Sequence, residues 1–218
     1  IFEKIIALAP GYGARVRAAR ALVDTGTAIS LASQETTAGL AELVNKTSLL
    51  TLTERLKKAH QHLLLARPLW EGVKGDLAQI QPSALPGQYR ETFSKAQEFF
   101  PILAKAAENA AQWVGFLQEV LGSHEQKRYL LIFQNNAEIR PTGGFMGSLA
   151  MIDVFQGILR RLEVPRGGIY DIAGQSKART RSPEPLWLVN PRWSIQDANW
   201  FPDFPTSAKK VLWFWEQS

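Results

Sequence analysis

The sequence predicts a helical hairpin or bundle over residues 1–122, followed by an α/β domain over residues 128–218 whose mixed sheet is flanked by helices. Three observations predict this. Apolar residues recur at steps of three and four through the first half, which is the helical period. After Ser123 the period changes to short continuous or alternating apolar runs, which is how strands read. A last helical pattern then closes the chain, and strands combined with helix define the α/β class.

Taken in order, Val16, Ala19 and Val23, then Leu40, Leu43 and Val44, predict helix within 12–46, although Thr25, Gly26, Thr27 and Ser30 weaken its middle. The clearest stripe follows: Leu52, Leu56, Ala59, Leu63, Ala66, Leu69, Val73, Leu77 and Ile80. All nine fall on one helix face. Thr51 or Thr53 is its expected N-cap, Pro68 is expected to kink or divide it, and Gln81-Pro82 with Pro86-Gly87 ends it. A second helix is expected from Gln88 to Leu121, presenting Leu103, Ala106, Ala110, Trp113, Leu117 and Val120. Pro101 should break it, and Gly122 suits its C-cap. These stripes are read as core, with docking of a partner helix as the other reading. His60 and His62 stand two apart, so they are not an i, i+4 metal pair, and His124 stands alone in a linker.

The bulk numbers exclude several classes. The 218 residues are 45% hydrophobic and 21% charged, which is ordinary for a globular chain. No run approaches the ~18 apolar residues of a spanning helix. With no cysteine there is no disulfide, thiolate metal site or cysteine nucleophile. The net charge of +5 is unevenly placed. Between 160 and 181, Arg160, Arg161, Arg166, Lys177, Arg179 and Arg181 face only Glu163 and Asp171. Such a patch favours anionic ligands, or is simply a solvated loop.

In the second half, Tyr129–Phe133 is long enough for a buried strand, and Gln134-Asn135-Asn136 is expected to end it. Glu138–Gly144 reads as turn, Phe145–Phe155 as a second strand, and Gln156-Gly157 as the hairpin turn into a third, Ile158–Val164. Residues 170–187 read as a mobile basic loop. Trp193, Trp200, Phe201 and Phe204 form an aromatic-proline cluster with Pro202 and Pro205, and Thr206 or Ser207 is expected to cap a closing helix from Ala208 to Gln217. Three strands make a small sheet, so the domain reads as cut short. The start at Ile1 likewise reads as a fragment of something longer.

The candidate site comes from three segments. In Arg140-Pro-Thr-Gly-Gly144 the paired glycines allow backbone amides close to a ligand, or serve only a tight turn. Arg166 follows the third strand in Val-Pro-Arg-Gly-Gly, and Asn135 closes the first strand. Asn135, Arg140, Gly143, Gly144 and Arg166 are therefore the expected ligand-binding set, with the arginines gripping phosphate through charge-assisted bonds. No catalytic residue is assigned. No G-x-S-x-G or histidine-based nucleophile exists here, and of Glu138, Asp153 and Asp171 none stands out as an acid/base partner. No protein metal site is expected, but Mg²⁺ held largely by substrate phosphates fits the site. No nucleic-acid module is recognisable, so no nucleic-acid partner is expected.

Tyr129-Leu-Leu-Ile-Phe-Gln-Asn-Asn-Ala-Glu-Ile-Arg-Pro-Thr-Gly-Gly-Phe-Met-Gly-Ser148, with Asp197-Ala-Asn-Trp-Phe-Pro-Asp-Phe-Pro205, resembles the bacterial family of domain of unknown function 4012. The resemblance covers about 128–218. It implies an N-terminal membrane anchor outside these residues, then a helical region, then this domain, in an extracytoplasmic protein. The order strand, arginine turn, strand, Val-Pro-Arg is more distantly similar to the LytR-CpsA-Psr phosphotransferases. That similarity implies a (poly)prenyl-pyrophosphate-linked glycopolymer as ligand, with Arg140 and Arg166 on the pyrophosphate and Mg²⁺ as cofactor. Pro141-Thr142 and Gly167 stand where that family carries aspartates. The alternative is a non-catalytic envelope scaffold. Its helical half would associate with itself or an envelope protein, and its α/β half would bind polymer or partner.

Overall fold

The computed structural model describes residues 13–218 and divides into a helical unit up to His124 and an α/β unit from Glu125. The first twelve residues of the expected helical region lie outside the described residues.

The helical unit contains α1 (Gly13–Val44), α2 (Leu52–Gln79) and α3 (Gly87–Val120), with a 3₁₀ turn at Pro82–Ala84. Helix α2 packs against both others and supplies the middle of the layer. The predicted stripe is its buried face: Leu56, Ala59, Leu63, Ala66, Val73 and Leu77 are inside, while Trp70 takes the place expected for Leu69. Thr51 caps α2 through a complete capping box, its hydroxyl accepting from the Glu54 amide while Glu54 Oε2 accepts from the Thr51 amide at 2.7 Å. These bonds also hold the Glu54 carboxyl below the usual carboxylate range.

Two expectations about α2 and α3 need correcting. Both Pro68 and Pro101 lie inside continuous helices, so neither divides its helix. Each removes one backbone donor, a local loss that packing along the rest of a long helix outweighs. The buried face of α3 is also shifted by one residue from the predicted stripe. Ala104, Ala107, Ala111, Val114 and Gln118 meet α2, whereas Trp113 and Leu117 are exposed. Alanines let two helices approach closely, and the bulkier apolar residues are left on the outer face.

Side chains satisfy the helix ends. Arg55 Nε donates to the Glu42 carbonyl at 2.9 Å, and Gln97 Nε2 donates to Leu77 and Ile80 at 2.6 and 3.0 Å. Gly122 follows the C-cap Leu121 with φ +64°, and the Ser123 and Gly122 amides return to Gln118 and Glu119 in a Schellman pattern. His62 bonds Glu35 across α1 and α2 at 2.8 Å, so it is a structural tie. No described helix is long and apolar enough to cross a membrane.

The α/β unit contains β1 (Lys127–Arg140), β2 (Gly143–Phe155), β3 (Ile158–Glu163), α4 (Ile169–Gln175) and α5 (Phe204–Glu216). A helical part followed by an α/β part is therefore what the chain forms. The sheet, expected to be mixed, is an antiparallel meander ordered β1-β2-β3, because two short hairpin turns join the strands. Strand β1 runs well beyond Phe133. The amides at 134–136 do not end it but coincide with two register breaks, after Phe133 and after Asn135.

One sheet face carries Leu130, Ile132, Met146 and Leu149 and packs on Ile169, Ile172, Ile195, Val211 and Phe214. The other carries Leu131, Phe133, Leu159 and Leu162, all exposed. Residues 170–187, expected as a mobile loop, are structured. They hold α4, a 3₁₀ turn at Leu186–Leu188 and a bridge from Arg181 to Arg192, because Ile172, Ala178 and Leu186 join the core. Helix α5 is capped by Asp203, not Thr206 or Ser207: its carboxylate accepts from the Thr206 amide at 2.9 Å.

Candidate functional site

The β1–β2 turn builds the site. Arg140 pairs with Gly143, leaving Pro141 and Thr142 at the tip. Gly143 has φ +112°, which a side chain would strain, and the Gly144 amide donates to Gln134 Oε1 at 3.2 Å. A Cβ on Gly144 would lie 2.0 Å from the Asn135 carbonyl oxygen. The glycine pair is thus required by a close backbone approach within the hairpin. Asn135 Nδ2 donates to Glu138 Oε1 at 3.1 Å, and its Oδ1 accepts from the Ala137 amide.

Arg140 is held on three sides. Its Nε donates to Asp197 Oδ1 at 3.3 Å, its Nη1 donates to the Ile139 carbonyl at 3.1 Å, and its guanidinium lies 5.3 Å from the centre of the Phe145 ring. Asp197 is buried, and its second oxygen accepts from Asn190 Nδ2 at 3.3 Å. Beside them, Asn199 Nδ2 donates to the Gly144 carbonyl at 2.8 Å, while its Oδ1 is buried with no partner among the described residues. Thr142 Oγ1 sits 3.1 Å from the Asn199 carbonyl and 3.0 Å from Ser207 Oγ. The two motifs quoted from the sequence, around Arg140 and around Asp197, therefore meet in space.

Next to Arg140 runs an apolar groove of about 780 Å³. It is lined by Ile139 and Pro141 of the first hairpin and by Pro185, Leu186, Leu188, Val189 and Trp200 from later in the chain. Ile139, Leu188 and Val189 are exposed in it.

The structure brings Asn135, Arg140, Gly143 and Gly144 together. Arg166 sits elsewhere, on the turn after β3, where the Gly168 amide donates to Pro165 at 3.0 Å and Gly168 packs on Gly147 of β2. Gly147 lies four residues along β2 from Gly143, a run of roughly 13 Å at strand rise. No hydrogen bond or ion pair joins Arg166 to the other four among the described residues. Sequence reasoning missed Asp197, Asn199 and Ser207 as partners of the turn. The signal was present, since Asp197 and Asn199 stand in the second motif.

The other carboxylates are engaged too. Arg128 grips Asp153 with two bonds, at 2.6 and 2.8 Å, and holds that buried carboxyl below the usual carboxylate range. Asp171 accepts from the Gly167 amide at 2.7 Å. The described residues contain no group of three His, Asp or Glu that would hold a metal.

An antiparallel meander backed by two helices, with a second sequence motif pinning its first turn, defines the class of this unit. Residues 124–218 match the model of a family described as protein of unknown function (DUF4012), and the match starts where the helical unit ends. No curated protein and no solved structure matches the chain.

Proposed function

We propose that the protein binds an anionic, lipid-linked glycopolymer at the bacterial cell envelope, with the α/β unit holding its (poly)prenyl-pyrophosphate end. The supporting observation is that, among the described residues, Arg140 is the one charged residue lining the apolar groove. A cation beside apolar surface suits an amphiphilic anion, with oxygens on the guanidinium and the prenyl chain along Ile139, Leu188 and Trp200. Asp197 and Phe145 hold the side chain in place, and Nη2 is left for an incoming oxyanion. The cost is that Asp197 already offsets part of the charge. The sequence resemblance to the LytR-CpsA-Psr phosphotransferases suggests glycopolymer transfer. Mg²⁺ would then arrive on the pyrophosphate, and the anchor would lie outside these residues in an extracytoplasmic protein. Binding rests on more of this chain's residues than transfer does.

The test is titration of the protein with farnesyl pyrophosphate, with and without Mg²⁺. Losing one charge-assisted contact in Arg140→Ala should weaken binding about ten- to a hundredfold. Binding unaltered by Arg140→Ala combined with Arg166→Ala would falsify the reading.

A specific observation also favours the scaffold reading. Ile102, Trp113 and Phe116 are 64%, 66% and 53% exposed on the face of α3 opposite α2. Apolar surface of that kind serves self-association or an envelope-protein partner. If it does, Trp113→Lys with Phe116→Lys will abolish any concentration-dependent sedimentation of the protein.

A further inference from the structure

A row of cations lies in the segment after α4. From Lys177 to Ser182 the chain alternates: Lys177, Arg179 and Arg181 are exposed, while Ala178 and Ser182 are buried. The segment is no strand of the sheet and only Arg181 is in a β-bridge, but this alternation is that of extended backbone, in which alternate residues leave one face about 6.6 Å apart. Arg192 joins them. It bridges Arg181, and the flanking bonds run from the Ser182 amide to Pro191 at 3.1 Å and from the Trp193 amide to Thr180 at 2.9 Å. The two arginines therefore form the non-hydrogen-bonded type of antiparallel pair, in which side chains stand closest.

Like charges directly opposite each other are destabilising. Here none of Lys177, Arg179, Arg181 and Arg192 has an ion-pair partner among the described residues. Two of the four are held in place without one. Arg181 lies 4.8 Å from the centre of the Trp187 ring, and Arg192 Nη2 donates to the Ser176 and Ala178 carbonyls at 3.3 and 3.4 Å.

We propose that this row binds a linear polyanion, specifically a glycan whose repeats carry carboxylate or phosphate. An extended line of evenly spaced cations matches an extended line of anions, and the ligand would relieve the repulsion between Arg181 and Arg192. A glycan is favoured over single-stranded nucleic acid, which needs free aromatic rings for base stacking. One face of Trp187 is taken by Arg181, and Trp193 is buried with Lys210 Nζ 4.5 Å from its ring centre. The row does not depend on the Arg140 groove. If both bind, the row takes the polymer and the groove its lipid end.

The experiment measures anisotropy of labelled polygalacturonate on the whole protein at two salt concentrations, beside neutral dextran and an oligothymidylate of matched charge. None of these carries a lipid or a pyrophosphate, so the outcome is separate from that of the groove. Polygalacturonate should bind, weaken with salt and lose about tenfold on Arg179→Gln with Arg181→Gln, as expected for lost counterion-releasing contacts. Arg179→Gln alone guards against misfolding, since the Arg179 side chain makes no hydrogen bond, ion pair or ring contact among the described residues, and it should weaken binding in the same direction. Undiminished binding by both variants overturns the proposal. So does tighter binding of the oligothymidylate than of polygalacturonate, which would make the row a nucleic-acid site.

Discussion

A methyl group decides the hairpin at Gly144. The atom it would meet, 2.0 Å away, is a backbone oxygen of Asn135 that cannot swing aside. Gly144→Ala should therefore cost about 3 kcal/mol, at the upper end of overpacking, read as a fall in the urea midpoint. Asp153 gives a pH signature. Because Arg128 lowers its folded pKa, the pair stabilises above the titration range of an unfolded aspartate, and that gain is lost as pH falls through the folded value. The midpoint difference between the native protein and Asp153→Asn should be largest near neutrality and vanish in acid. A difference constant with pH would refute the pairing. At this scale the sequence was half legible. Arg140 and the glycines could be named from their residue types, but the bond from Arg140 to Asp197 spans 57 positions and leaves no local trace. The same holds for Asn199, whose burial under the turn depends on where residues 197–207 fold back.

At the scale of elements, the caps and the prolines carry opposite expectations. Thr51→Ala removes the hydroxyl that accepts from the Glu54 amide, leaves the bond from the residue 51 amide to Glu54, and should cost about 1 kcal/mol. Pro68 is exposed in the interior of α2, so Pro68→Ala restores a backbone donor without opening a cavity and should raise stability by about 1–3 kcal/mol. A thermal melt of each variant checks the two signs, and a lowered melting temperature for Pro68→Ala would contradict the account. The stripe of α2 was readable because it is buried on one face against two neighbours, which enforces strict periodicity. That of α3 was misplaced by one residue because the helix is apolar on two sides. Periodicity then shows that a helix exists without showing which face is inside. Strand β1 was cut short for a related reason: its second half is exposed, and polar exposed residues look like a turn.

For the whole molecule, the α/β unit has a sheet with one covered face and one bare one. Leu131, Phe133, Leu159 and Leu162 on the bare face are 39% to 58% exposed. Surface of that kind is sticky, and Leu131→Lys with Leu162→Lys should raise the concentration at which the protein stays in solution, as read by light scattering. The helical layer followed by an α/β unit was legible from the change of period at Ser123, since that change reflects two different backbone geometries. Of the antiparallel arrangement, the β2–β3 hairpin was legible from its Gln156-Gly157 turn, but the pairing of β1 with β2 was not, because strand order depends on partners and not on pattern. The register breaks in β1 also mark where the chain tolerates a change in length. Residues 136–138 have no partner on β2, between the pairs Asn135–Phe145 and Ile139–Gly144. A residue deleted there shortens a surface arc and leaves both pairs in phase. One deleted between Arg128 and Phe133 would turn every preceding side chain to the opposite face, and with it move Arg128 off Asp153.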